Sequence, residues 1–431
     1  MSGNLIIKNA SELVTVSGFE AKRGPAMSDL AIIPDGSVVI EQGSIMRVGP
    51  TADVLSGLDQ ECFTIIDARA KAVLPGFVDA HTHFVFGGYR AEEFSFRLRG
   101  MSYMEIMQGG GGIASTVEAT RGATEEELIS SGKRRLDRML TFGVTTVEGK
   151  SGYGLDQETE IKQLRVMKKL NSSHPVDIVP TFLGAHTVPT EYKGDPGAYI
   201  DYINKEVLPE ISRLRLAEFC DIFCETGVFD LAQSRRLLKC ARSFGLGVKL
   251  HADELTRLGG AELAADLAAV SADHLLHASE DGIARMAAQG VIAVLLPATA
   301  FSLKEPYAPA RSMIDHNCAV ALATDFNPGS CFTESIPLIF ALATLYMGMT
   351  PEEALTACTL NGAAALGRAK TVGSLDPGKQ GDAVILEFPS HLFIPYHIGV
   401  NCVEKVIKRG EVVYDAATEQ REKGDRACSE T

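Results

Sequence analysis

The 431-residue chain has no tryptophan, and only 7% of it is aromatic. It also lacks an apolar run approaching the ~20 residues that a membrane helix requires, which argues against a helical membrane protein. Basic residues are in deficit: 41 Lys and Arg stand against 55 Asp and Glu, for a formal net charge of −14. Acids and bases are interspersed rather than blocked, so the surface offers no basic stripe for nucleic acid and suits a small-molecule enzyme. The nine cysteines have no finger or knuckle spacing. They read as free thiols in a reducing compartment, Cys220 and Cys224 included. The amino-terminal segment Met1–Lys8 lacks the basic, apolar and small-residue regions of a secretory signal, so a cytoplasmic protein is expected.

What is present is a long chain with 45% hydrophobic and 22% charged residues, more than one core usually supports. Residues 1–72 carry short β-type runs separated by turn residues such as Pro34-Asp35-Gly36, predicting a small antiparallel β unit. From Val73 the texture changes to strands alternating with helices. Strands are predicted at Val73–His83, Gly143–Glu148, Asp177–His186, Phe219–Glu225, Gly247–Glu254, Ala272–Leu275, Val291–Pro297 and Val320–Asp325. Amphipathic helices are predicted over Thr124–Leu140, with a Thr124/Glu127 capping box, and over Gln157–Leu170. Eight β/α repeats predict a (β/α)8 TIM barrel over residues 73–372. An open doubly wound sheet would need a glycine-rich fingerprint after its first strand, where His-Thr-His stands instead. The β texture returns over 373–416, so both termini are expected to build one small flanking β-sandwich, with a polar frayed tail over 417–431.

In such a barrel, polar residues at the carboxyl ends of strands are the catalytic candidates. The first strand ends in His81-Thr82-His83, and alternate residues of a strand share a face, so the two imidazoles project together and can share a metal ion. Later strand ends supply His186, His251 with Asp253 and Glu254, Asp273 with His274, and Asp325 with Asn327, Gly329 and Ser330. One strand-end histidine is ordinarily a hydrogen-bonded loop residue. Five of the ten histidines at strand ends of one barrel face point to a metal site.

The order HxH, later His, later Asp resembles the amidohydrolase superfamily of metal-dependent barrel hydrolases. More narrowly, Asp79–His83, Gly109–Ile113 with Ser115–Arg121, Lys150–Asp156, Gly184–His186, Lys249–Glu254, Ser271–Leu275 and Thr324–Ser330 resemble the imidazolonepropionase family. That resemblance implies one divalent ion per chain, Zn2+ or Fe, held by His81, His83, His251 and Asp325. It implies hydrolysis of 4-imidazolone-5-propanoate to N-formimidoyl-L-glutamate in L-histidine catabolism, the alternative being another cyclic-amide hydrolase or a deaminase of the superfamily. Glu254 is expected to shuttle protons and contact the ring, or else to fix His251 from behind. His274 is expected to hydrogen-bond the nucleophile or oxyanion, and Asp253 is the weaker catalytic choice. Arg90 is expected to grip the propionate carboxylate, unless it serves a surface ion pair. Tyr103 (a weaker choice), Tyr153, His186, Asn327, Gly329 through its main-chain N–H, and Ser330 complete the expected substrate set. No lysine stands at the end of strand four to bridge a second metal, although Glu225 could. The glycine run Gly109–Gly112 reads as a mobile active-site loop and candidate lid, and the apolar stretch Ile336–Leu345 as a homodimer face.

Overall fold

The computed structural model describes residues 3–101 and 111–418. Five strands precede the barrel: β1 (Leu5–Val14), β2 (Ile32–Glu41), β3 (Ser44–Pro50), β4 (Thr64–Asp67) and β5 (Ala72–Pro75). The eight barrel strands are β6 (Phe77–Asp79), β7 (Val144–Lys150), β8 (Asp177–Ala185), β9 (Phe219–Cys224), β10 (Gly247–Ala252), β11 (Ser271–His274), β12 (Ile292–Leu295) and β13 (Val320–Leu322). Three more follow: β14 (Ala383–Leu386), β15 (Val403–Lys408) and β16 (Glu411–Asp415).

The barrel strands are hydrogen-bonded in sequence order from β6 to β13, the arrangement that repeated β/α crossovers dictate. Helices between them begin at designed caps. Thr124 and Glu127 exchange backbone hydrogen bonds at 2.8 and 3.2 Å ahead of the helix Glu125–Thr141. Asp156 caps Gln157–Ser173, and Asp230 with Gln233 forms a capping box before Leu231–Ser243. Past β6 and β13 the first and last strand segments meet: Asp325 N–H donates to the His81 carbonyl (3.0 Å) and His83 N–H to the Phe326 carbonyl (2.9 Å). Thr82 and Phe326 form the parallel bridge between them. Backbone pairing therefore sets the HxH motif and Asp325 side by side.

The predicted strand Val73–His83 is two strands. Gly76 breaks it, and a Cβ there would lie 2.2 Å from Thr145 Oγ1. Ala72–Pro75 pairs with β1 and β14 in the terminal sheet, leaving only Phe77–Asp79 to the barrel. The terminal sheet also differs from expectation. It is one eight-stranded mixed sheet in the order β16-β15-β14-β5-β1-β2-β3, with β4 alongside β1, where residues 1–72 were expected to be antiparallel throughout. β1 runs antiparallel to β2 but parallel to β4 and β5, because each of the latter re-enters after a crossover. A shift of register between Ile7 and Ala10, with Asn9 at φ 60°, lets one edge of β1 receive β4 and then β5. Strands from both ends of this order fill one core, with Ile45 of β3 and Ile407 of β15 in the same cluster as Leu5, Ile7, Val38 and Ile385.

The chain resolves into two compact units. One comprises residues 1–79, 137–146 and 335–431, and the other residues 80–136 and 147–334. Every site residue discussed below belongs to the second. In the first, the helix Ile336–Tyr346 is mostly buried, which removes it as an open dimer face; only its last turn, Leu345 and Tyr346, is well exposed. Tyr103, Gly109, Gly110 and all but the first two residues of the expected tail lie outside the described residues.

Candidate metal centre

His81 and His83 flank Thr82 and are fully buried, as are His251 at the end of β10 and Asp325 beyond β13. Carboxylates from behind fix two of the rings. His81 Nδ1 donates to Asp273 Oδ2 at 2.6 Å, and His251 Nδ1 lies 2.9 Å from Asp221 Oδ2. The His81 contact is a hydrogen bond and turns the Nε2 of that ring inward as an acceptor, the arrangement that metal-binding histidines use, whereas His251 stands in an ion-pair contact with Asp221 and hydrogen-bonds through neither ring nitrogen. The His81 and His83 Nε2 atoms stand 3.3 Å apart, and Asp325 Oδ1 lies 3.5 Å from both. The other Asp325 oxygen accepts from Thr299 Oγ1 at 2.6 Å. Ligand atoms of His81, His83 and His251 all fall within 4.8 Å of one another, and so do those of His81, His274 and Asp325.

Such a convergence of acceptors is costly unless a cation joins them. His251 Nε2, buried at the centre, has no hydrogen-bond partner in the protein. Burial, helped by Lys150 and His251, holds the His81 imidazole well below its usual pKa, and burial with His186 does the same for His83. Both are neutral, as ligands must be. Burial raises the Asp325 carboxyl to about 6, where it accepts a cation readily. The residues present fit a divalent metal ion.

Around this centre sit the expected catalytic groups. Burial and the nearby Asp325 charge push the Glu254 carboxyl up to about 8. Its Oε1 lies 3.5 Å from His274 Nδ1, and the His274 ring packs 5.0 Å from that of His251. Because Asp221 occupies His251 Nδ1, Glu254 is not the group that orients that histidine. Asp253 instead accepts four backbone N–H groups, from Leu258, Gly259, Gly260 and Ala261, and anchors the next helix. Glu225 is likewise turned away: its two oxygens take the N–H groups of Thr226, Leu255 and Thr256 and the Thr256 hydroxyl. It does not bridge a second metal.

His186 stacks on His83 with centroids 5.0 Å apart, its Nδ1 held 3.1 Å from the Gly152 carbonyl. Tyr153 packs against both rings. Arg90 pairs through Nε with Glu93 (2.8 Å), and a Cβ at Gly329 would meet Arg90 Nη1 at 2.3 Å, so the guanidinium lies against the strand-eight loop. Two expectations for that loop change. Asn327 Oδ1 already accepts from the N–H groups of Gly329 and Ser330, both at 2.8 Å, and its Nδ2 donates to the Asp325 carbonyl (2.7 Å) and to Ser330 Oγ (2.9 Å). Asn327 thus shapes the loop, and the Gly329 N–H is engaged rather than free for substrate. Glycine is needed there for the approach of Arg90. Gly112, at the described end of the glycine run, is tied by its N–H to Glu93 Oε1 at 3.0 Å.

The sequence reading gave no role to Asp221, Asp273, Lys150, Glu148, Lys249 or Thr299. A signal existed: Glu148/Lys150 and Lys249/His251 are two-residue spacings of charged groups on otherwise apolar strands, which places both members of each pair on one face.

Residues 72–413 match the amidohydrolase family. The chain is 61% identical to an imidazolonepropionase of Clostridium tetani, covering 96% of this chain and 98% of that protein. It is 58% identical to an imidazolonepropionase of Parabacteroides distasonis, covering 95% and 99%. The chain belongs to the imidazolonepropionase family of amidohydrolases. Distant solved structures share the fold alone. A zinc-bound adenosine deaminase of Xanthomonas campestris is 20% identical with a TM-score of 0.69, covering 99% and 98%. A guanine deaminase of E. coli is 16% identical with a TM-score of 0.71, covering 95% and 99%. Among the described residues, no helix is long and apolar enough to cross a membrane.

Proposed function

We propose that the chain hydrolyses 4-imidazolone-5-propanoate to N-formimidoyl-L-glutamate, a step of L-histidine catabolism. The observation that carries the reading is the buried His81, His83, His251 and Asp325 cluster with Glu254 and His274 beside it, in a chain 61% identical to an imidazolonepropionase. These four residues would hold one divalent ion, Zn2+ or Fe2+, since three imidazoles and a carboxylate suit either. When bound, the ion supplies Lewis acidity, which polarises a carbonyl and acidifies water.

The residues do the rest. Arg90 pairs with the propionate carboxylate, and Tyr153 and His186 line the ring pocket. Ionised once a bound cation offsets the Asp325 charge, Glu254 takes a proton from water as its oxygen attacks the ring carbonyl carbon. His274 stabilises the oxyanion by hydrogen bonding. As the tetrahedral species collapses, the carbonyl carbon–nitrogen bond breaks and Glu254 returns its proton to the departing nitrogen. The new carboxylate stays on the glutamate product and the nitrogen on its formimidoyl group. Ser330, bonded to Asn327, completes the loop beneath Arg90.

Free thiols throughout the described residues support a cytoplasmic setting. The net charge of −14 argues against nucleic acid as a partner. A homodimer would use the exposed side chains Leu345, Tyr346 and Tyr396 of the first unit rather than the buried body of the helix Ile336–Tyr346, and is measurable by sedimentation equilibrium or light scattering. The deciding experiment is turnover of freshly prepared 4-imidazolone-5-propanoate by metal-analysed protein against spontaneous decay, with the product identified. Formation of N-formimidoyl-L-glutamate is expected, and no acceleration at full metal occupancy would refute the assignment.

A further inference from the structure

Beneath the histidines lies a layer of five buried ionisable side chains: Glu148, Lys150, Asp221, Lys249 and Asp273. Lys150 Nζ is 2.7 Å from Asp221 Oδ2, 3.1 Å from Glu148 Oε2 and 3.2 Å from Asp273 Oδ2. The two aspartate oxygens it touches are the same atoms that meet the rings: Asp273 Oδ2 takes His81 Nδ1, and Asp221 Oδ2 faces His251 Nδ1. Lys249 is as deeply buried, yet its ammonium pairs with Glu148 Oε1 (2.7 Å), whose other hydrogen-bond partner is the Thr181 hydroxyl rather than a ring.

We propose that Lys150 is a positioning residue for the metal centre, clamping Asp221 and Asp273 so that His81 and His251 present their Nε2 atoms to the ion. The inference rests on the metal-site reading above. The Lys150 ammonium donates a hydrogen bond to Asp221 Oδ2 and holds the Glu148 and Asp273 carboxylates as ion pairs, fully buried among them. Its charge also matters. Three carboxylates packed together repel, and two of them must stay ionised to hold an imidazole by Nδ1. An ammonium between them meets both needs at once. Without it the aspartates would part or take up protons, the rings would turn, and ligand geometry would loosen. Lys150 lies on β7, Asp221 on β9 and Asp273 on β11, so one side chain ties three alternate strands beneath the site.

The test is Zn2+ affinity of the metal-free enzyme, by competition with a chromophoric chelator, for wild type, Lys150→Met and Lys249→Met. Circular dichroism and thermal melting establish that each is folded. Removing a group that orients ligands typically weakens metal binding about 10–100-fold. That loss is expected for Lys150→Met, with KM at saturating Zn2+ unchanged, whereas Lys249→Met binds within about threefold of wild type. An affinity within twofold of wild type for Lys150→Met, or an equal loss in Lys249→Met, would overturn the proposal. If Lys150→Met does not fold, Lys150→Arg takes its place, because the broad guanidinium keeps the charge but cannot repeat the three contacts. It is expected to bind several-fold more weakly, and wild-type affinity in it is the refuting result. Failure of the wild type itself to bind Zn2+ or Fe2+ would instead remove the metal-site reading.

Discussion

Glu254→Gln is expected to disable the enzyme and, at pH 8, to stabilise its fold. Burial and the Asp325 charge carry the carboxyl from the ordinary glutamate value of 4.5 up to about 8. A group whose pKa is higher in the folded state contributes fully below the unfolded value, and that contribution is lost as the pH rises through the folded value. For Glu254 the window therefore runs from 4.5 to about 8. At ~1.4 kcal/mol per pH unit, the ionisable side chain costs the metal-free fold about 3 kcal/mol at pH 7 and about 4 at pH 8, where it is half titrated. Glutamine keeps the shape and carries no charge. Its own unpaired amide costs about 2 kcal/mol at any pH, so the variant should be about 2 kcal/mol more stable than wild type at pH 8 and about 1 kcal/mol less stable at pH 5. Urea denaturation of metal-free wild type and variant at the two pH values measures it, and turnover should fall by roughly 10²–10⁴. Equal stability at pH 8, or a difference that does not change between pH 5 and pH 8, would show that Glu254 is not held protonated by its surroundings.

Asp325→Ala removes a ligand, and the purified protein is expected to carry less than one metal equivalent and to show no turnover; metal analysis and the product assay check both. Because burial puts the Asp325 carboxyl near 6, protons compete with the ion below that value, and apparent metal affinity should fall about tenfold per pH unit on further acidification, measured by chelator competition. Arg90→Lys keeps the charge but loses the planar fork, so kcat/KM should drop about 10–100-fold, mostly through KM. Gly329→Ala places a methyl 2.3 Å from Arg90 Nη1 and should produce a similar KM effect with little loss of thermal stability.

Much of the site was legible because its chemistry is local. His81-Thr82-His83 needs only the two-residue period of an extended chain to put two imidazoles on one face. His251 with Glu254, Asp273 with His274, and Asp325 each stand at the end of an apolar run, where a barrel exposes its chemistry. The roles assigned within the strand-eight loop were less secure, because a loop's hydrogen bonds depend on its own fold. Asn327 and Gly329 were read as substrate contacts, yet they bond to each other, and no local pattern encodes that pairing. The run Val73–His83 looked like one strand, since its hydrophobic pattern carries across Gly76. Close packing on Thr145 makes Gly76 a break, and the period of side chains does not report it.

The sequence alone determined the alternation of strands and helices and the split of the β-rich ends, which follow from periodicity readable one segment at a time. Its motifs carried the family resemblance, and that resemblance implied the four residues proposed to hold the ion. Tertiary structure alone decided what stands behind those residues. Asp221, Asp273 and Lys150 come from three different strands and meet only because an eight-stranded sheet closes and turns their alternate side chains inward. No pattern on any one of these strands names the charges on the others, and their buried contacts of 2.7 and 3.2 Å exist only between strands far apart in the chain. Local order fixes which residues face inward, and closure of the barrel fixes which of them become neighbours.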